Sequence, residues 1–181
     1  MEVRGVMMGQ ESVERRKPQE PSMTDGGHMD ILMINALMDS LFTIFATMVR
    51  LKIQPGIPEP KEGNAARGVV SALIGMKGEG ACGSVALSFT LPAIRSISRS
   101  LLGHEIDSVG SEAADLAGEL TNMLVGGAKR ILSEKGHDFD MQTPELLVGE
   151  GHGIVHHYPG QTVLLPVNIG QDEFYIELNF V

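Results

Sequence analysis

Ser111-Glu112-Ala113-Ala114-Asp115-Leu116-Ala117-Gly118-Glu119-Leu120-Thr121-Asn122-Met123-Leu124-Val125-Gly126-Gly127-Ala128-Lys129 is the stretch around which the chain organises itself. Set on a helix at about 100° per residue, Leu116, Leu120, Leu124, Ala128 and Ile131 make one apolar stripe. Asp115, Glu119, Asn122 and Gly126 fall nearly opposite. Residues three and four apart on a helix are surface neighbours, so Glu119 and Asn122 can touch the same partner groups at once. A carboxylate suits a cation. A carboxamide carries both donor and acceptor atoms and can hold a water while leaving that water's lone pair free. Gly126 would let a partner backbone approach closely. A lone Glu-x-x-Asn more often only solvates a helix surface, so the remainder of the chain has to decide.

Ser111, Glu112 and Asp115 in the opening turns suit an N-cap and the helix dipole. Lys129, Arg130 and Lys135 suit the far end, and Gly136 stops the helix. Working outward, residues 91–102 read as a second helix, with Pro92 in the first turn and Gly103 as its stop. Residues 65–76 and 81–90 read as strands joined by a Gly-rich turn around 77–80. Strands are expected at 145–149, 162–169 and 173–180, with Tyr158-Pro159-Gly160 and Gly170-Gln171-Asp172 as turns. Residues 54–64 hold Pro55, Pro58 and Pro60 and read as a loop. Residues 30–51 read as the first helix. The order is helix, two strands, two helices, three strands. It carries no βαβ series, so the expected class is α+β: a largely antiparallel β-sheet with long amphipathic helices packed on it.

The chain has 181 residues, 43% of them hydrophobic, enough for one domain with a substantial core. Residues 1–29 are polar and carry Pro18, Pro21, Gly26 and Gly27, which reads as a flexible leader before a domain at 30–181. The leader has no apolar run of the kind a signal peptide needs. The segment 31–49 is apolar, but Asp39 in mid-span would cost about 3 kcal/mol in lipid. Asn35, Asp39, Thr43 and Thr47 also recur every fourth residue, the polar stripe of an amphipathic helix. No membrane insertion is expected. Net charge is −9 with no cluster of Lys and Arg, which argues against nucleic acid. Cys82 is the one cysteine, so there is no internal disulfide and no CxxC motif, in keeping with a cytoplasmic location.

Other chemistry is sparse. His152, His156 and His157 sit near a probable strand end among turn residues. Adjacent strand residues point to opposite faces, so they read as structural or solvent-exposed, and no metal site is expected on this chain. Gly78-Glu79-Gly80-Ala81-Cys82-Gly83 matches G-x-G-x-x-G but lies between two strands, which makes it a hairpin and not a nucleotide loop. Asp107, Asp138 and Asp140 lie near helix ends, where capping or solvation accounts for them.

The run Asp115-x-x-x-Glu119-x-x-Asn122 resembles the signature of the CheX/CheC/FliY family of chemotaxis phosphatases. Gly80-Ala81-Cys82-Gly83-Ser84-Val85-Ala86-Leu87-Ser88-Phe89 resembles the family's glycine-led strand. Thr143-Pro144-Glu145-Leu146-Leu147-Val148-Gly149-Glu150-Gly151 resembles the strand after its long helix, and Phe174-Tyr175-Ile176-Glu177-Leu178 its last strand. The match runs from about residue 30 to the end and is closest to CheX. It implies a CheC-like fold, a homodimer, and hydrolysis of the aspartyl phosphate of a CheY-type response regulator. By carry-over, Asn122 would orient the attacking water and Glu119 would pair with a lysine of the regulator. Asp115, Glu119 and Gly126 would lie at the contact surface. The Mg²⁺ would arrive bound to the regulator, with no cofactor on this chain. CheC-like relatives carry a second Glu-x-x-Asn on the first helix. Here that surface reads Asp39-Ser40-Leu41-Phe42, so one site per chain is expected. The rival reading is a non-catalytic module of the same fold that binds a regulator or serves a signalling complex.

Overall fold

The structure, a computed structural model, describes residues 26–79 and 81–181, so the first 25 residues of the expected leader lie outside the described ones. In chain order the elements are helix α1 (Gly26–Ile44), strands β1 (Gln54–Pro55), β2 (Glu59–Pro60), β3 (Val70–Gly78) and β4 (Ala81–Phe89), helices α2 (Leu91–Leu102) and α3 (Ser111–Ser133), and strands β5 (Phe139–Met141), β6 (Glu145–Val148), β7 (Val163–Ile169) and β8 (Asp172–Phe180). All strand pairs are antiparallel, in one eight-stranded sheet of order β1-β7-β8-β4-β3-β5, with β2 also on β7 and β6 also on β3. The α+β class with an antiparallel sheet is therefore what the chain adopts.

The sheet alternates as a half-buried sheet must. Val70, Ala72, Ile74 and Met76 of β3, Val85, Leu87 and Phe89 of β4, and Phe174, Ile176 and Leu178 of β8 join the main core with the helices. α3 lies directly on β3 and β4, and α1 packs beside α3. Ser40 Oγ of α1 donates to Leu124 O of α3 at 2.9 Å. Gly127 allows that approach, because a Cβ there would stand 2.1 Å from Ser40 Oγ. α1 runs on into a π-helical turn, Phe45–Val49, and Phe45 stacks on Phe174 with ring centroids 5.5 Å apart.

Several boundaries differ from the sequence reading. The first helix is described from Gly26 and its regular part ends at Ile44; Arg50, at φ 56°, closes the π turn, so Leu51 is not helical. The proline-rich loop contributes two-residue strands to the edge of β7, where prolines cost no buried ladder bond. The strand expected from residue 65 begins at Val70, because residues 61–69 leave the sheet to cover its far face. β5 is absent from the sequence reading, so four strands follow α3 where the sequence predicts three. α2 is as read, with Thr90 Oγ1 accepting from Ala93 N as its cap and Gly103 at φ 79° as its stop.

The far face carries Ser71, Ser84, Ser88, Glu177 and Asn179, all buried. Residues 149–162 cross it, with Ile154 buried against Leu73 and Ala86. Lys61 Nζ donates to both carboxylate oxygens of Glu177 at 2.6 and 2.7 Å. Their side chains are 3% and 0% exposed. His156 Nε2 lies 3.2 Å from Glu177 Oε2 and Nδ1 2.7 Å from Ser84 Oγ. A carboxylate only accepts, so Nε2 carries the proton. His152 bridges Gly149 O and Ser71 Oγ, both at 2.7 Å. The histidines thus sit in the covering segment and not on a strand; His152 and His156 pin it down, and His157 is exposed. Ser84, His156 and Glu177 have the connectivity of a hydrolytic triad, but Ser84 is fully buried, so they act as a structural clamp.

Ile31–Val49 is the one segment among the described residues long and apolar enough to cross a membrane. Its Met33, Leu37, Leu41 and Phe45 belong to the main core.

Candidate functional site

α3 follows Gly110, which caps it without a side-chain bond; the serine expected to cap it, Ser111, is the first helical residue. In the opening turn Glu112 Oε1 lies 2.6 Å from His104 Nε2, and this hydrogen bond raises the His104 pKa above the ordinary histidine value. The buried arc of α3 is broader than the stripe read from sequence. It takes in Ala113, Ala114, Ala117, Gly118, Thr121 and Val125 besides Leu116, Leu120, Leu124 and Ala128, whereas Ile131 is half-buried. The sheet covers one side of the helix and α1 another. The remaining strip faces solvent and carries most of the helix's polar side chains.

On that strip Asp115 and Glu119 are exposed and Asn122 is half-buried. Among the described residues none of the three makes a side-chain hydrogen bond or an ion pair. All three line an open groove of about 350 Å³ whose other walls are Gly118, Thr143, Pro144 and Leu146. Gly126, expected on the same surface, lines a neighbouring depression with Lys129, Arg130, Ser133 and Glu134. A Cβ at Gly126 would meet nothing within 4 Å, so packing within this chain does not require a glycine there. Gly118 differs: its Cβ would stand 2.8 Å from Leu146 Cδ2.

The groove suits positioning chemistry. It offers two carboxylates without partners, which attract a cation, and one amide free to hold a water. Its one hydroxyl, Thr143, has no histidine or lysine among the groove's lining residues to activate it, and among the described residues no three His, Cys, Asp or Glu side chains gather as a metal site. The wall formed by residues 143–146 was not read as part of the site. The sequence shows those residues only as a strand, and nothing in their spacing reports that the strand lies against α3. On α1, Asp39 is exposed, Ser40 is committed to α3, and Phe42 occupies the place an asparagine would need, so the surface on α1 does not repeat the pair on α3.

Comparison with known proteins bears on this arrangement. The family model for chemotaxis phosphatase CheX matches residues 70–168. No curated protein matches. Among solved structures, a CheC-like superfamily protein from Shewanella sp. PV-4 is 41% identical, with a TM-score of 0.77, covering 83% of this chain and 98% of that one. Chemotaxis protein CheX from Vibrio vulnificus is 38% identical, with a TM-score of 0.74, covering 82% of this chain and 99% of that one. A CheX–CheY–BeF₃–Mg²⁺ complex from Borrelia burgdorferi shares the fold at 21% identity, with a TM-score of 0.68 over 82% of this chain and 97% of that one.

Proposed function

We propose, since this chain belongs to the CheX family of chemotaxis phosphatases, that it hydrolyses the aspartyl phosphate of a CheY-type response regulator. The observation that carries the reading is the pairing of Glu119 and Asn122, without partners among the described residues, on the solvent-facing strip of α3. The Borrelia relative caught with CheY, BeF₃ and Mg²⁺ supports the class of partner.

The reaction asks little covalent chemistry of this chain, because phosphoryl transfer is mostly positioning and charge stabilisation. Asn122 accepts a hydrogen bond from a water and turns its lone pair toward phosphorus. The water oxygen bonds to phosphorus as the bond to the acyl oxygen breaks. The aspartate carboxylate leaves with the electron pair, and the products are inorganic phosphate and the free regulator. Glu119 pairs with a lysine of the regulator and fixes the register. Mg²⁺, held by the regulator, neutralises charge on the phosphoryl group. The reading places the protein in the cytoplasm, where Cys82 stays a thiol.

The test is phosphate release from a CheY-type regulator charged with acetyl phosphate, which should quicken when the chain is added. No acceleration at any protein concentration would defeat the reading. Glu119→Ala should raise the concentration needed for half of the effect, because it removes the charge that meets the lysine. That penalty should shrink as salt rises, since the pair forms near a surface. A penalty independent of salt would place Glu119 outside the contact.

The reading includes a homodimer. Sedimentation of the 19.4 kDa chain at micromolar concentration should give about twice that mass. A single monomer across a wide concentration range would remove the dimer from the account.

A further inference from the structure

We infer that Leu146, with Pro144, is the apolar half of the surface on which the regulator docks, so that β6 supplies affinity where α3 supplies chemistry. The inference rests on the phosphatase reading and adds a residue and a partner chemistry to it.

Leu146 is 42% exposed, although it lies in a strand. It points to the helix side of the sheet, as does Val148, which is 46% exposed. β6 pairs with β3 on one side only, so Leu146 sits at an open edge of the sheet. Its side chain lies over Gly118, within the turn that carries Asp115 and Glu119. Gly118 is buried, and its missing side chain is what lets Leu146 come down onto the helix. The result is an apolar spot flanked by two carboxylates, both without a cation of their own among the described residues, and by Asn122.

That pattern selects an occupant. A purely apolar partner would strand the carboxylates, and a purely cationic one would leave Leu146 in water. The surface fits a partner that presents an apolar side chain beside a lysine. In the phosphatase reading that lysine belongs to the regulator's phosphorylation site, so the apolar group must come from the receiver surface next to it. The charges of Asp115 and Glu119 favour this occupant over a second copy of this chain, whose matching surface would bring like charges together across a two-fold axis.

The probe is a stand-alone CheY-type receiver domain from the same genome, charged with beryllofluoride and Mg²⁺, titrated against the full chain. Leu146→Ala should weaken binding about fivefold, the order expected for a half-buried leucine that finishes its burial on docking. Leu146→Glu should weaken it at least tenfold, as a third carboxylate joins Asp115 and Glu119. Saturated single-turnover rates should stay within about twofold of wild type for both variants, and melting temperatures should change little, because the side chain is already part-exposed. Gly118→Ala offers an independent check. Its methyl displaces the Leu146 tip, so it should weaken binding in the wild-type background and add nothing to Leu146→Ala.

Unchanged affinity in Leu146→Glu would overturn the inference while leaving catalysis by Asn122 standing. Loss of saturated rate with unchanged affinity would do the same. A drop of Leu146→Glu to half the wild-type mass, with wild-type affinity per chain, would assign the edge to a second copy instead. A wild-type chain that neither binds the charged domain nor speeds phosphate loss would overturn both this inference and the phosphatase reading.

Discussion

Replacing Asn122 by alanine is expected to cut the maximal dephosphorylation rate by about 100- to 1,000-fold. Removing one preorganised hydrogen-bonding amide from an active site costs roughly 3–4 kcal/mol of transition-state stabilisation in other enzymes. Asn122 makes no side-chain bond to the described residues, so no internal network collapses when its amide goes. Alanine is also the best helix former, so α3 itself should be unharmed. Affinity for a beryllofluoride-charged regulator should remain, since one half-buried amide carries little of an interface. Rate and affinity should therefore separate: Asn122→Ala loses rate, Leu146→Ala loses affinity, and Glu119→Ala loses affinity in a salt-dependent way. A wild-type saturated rate in Asn122→Ala would transfer the account to the non-catalytic binding module.

The largest loss of stability is expected far from that site. Glu177→Ala should cost about 3–5 kcal/mol, the usual effect of removing one member of a buried ion pair. Lys61 Nζ would lose both of its acceptors and His156 Nε2 its own, in a place closed to water. For a chain of this size each kcal/mol moves the melting temperature by about 2–4 °C, so a fall of roughly 6–20 °C should appear in a thermal scan. Lys61→Met combined with Glu177→Leu should cost less than Glu177→Ala alone, because no charge is stranded. A melting temperature within 2 °C of wild type for Glu177→Ala would show that water reaches the cluster.

This cluster also marks the limit of what the sequence reveals. In β8, Glu173, Tyr175, Glu177 and Asn179 alternate with Phe174, Ile176 and Leu178, a pattern that reads as a strand with one wet face. The strand is there, but Glu177 and Asn179 are buried and Glu173 and Tyr175 only half-exposed, because residues 61–69 and 149–162 fold over that face. Covering segments without periodicity leave no sequence signal, and their anchoring histidines look like turn residues. The same cause shifted the start of β3 from residue 65 to Val70. β5 was hidden by its length, three residues with Asp140 at the centre. Signals that are local and chemical came through: Pro92 and Gly103 bracket α2, and the apolar period of α3 continues as far as Leu132.

The site divides along the same line. Asp115, Glu119 and Asn122 share a helix face, and helix faces can be read from spacing alone. Gly126 lies one turn on, and there the surface turns toward Lys129 and Arg130, a detail of curvature that a helical wheel does not carry. Leu146 joins the site only through tertiary contact with Gly118. Nothing in a glycine within a helix says which neighbour fills the space it leaves.

The central claim is that α3 brings catalysis to the regulator and not merely a binding face. It is tested most directly by the single-turnover decay of a labelled aspartyl phosphate on a CheY-type regulator, followed at rising concentrations of the wild-type chain. The account predicts a decay rate that climbs and saturates, with a plateau far above the regulator's own rate and a half-saturation point matching the separately measured affinity. Complex formation with decay held at the regulator's intrinsic rate throughout would contradict it.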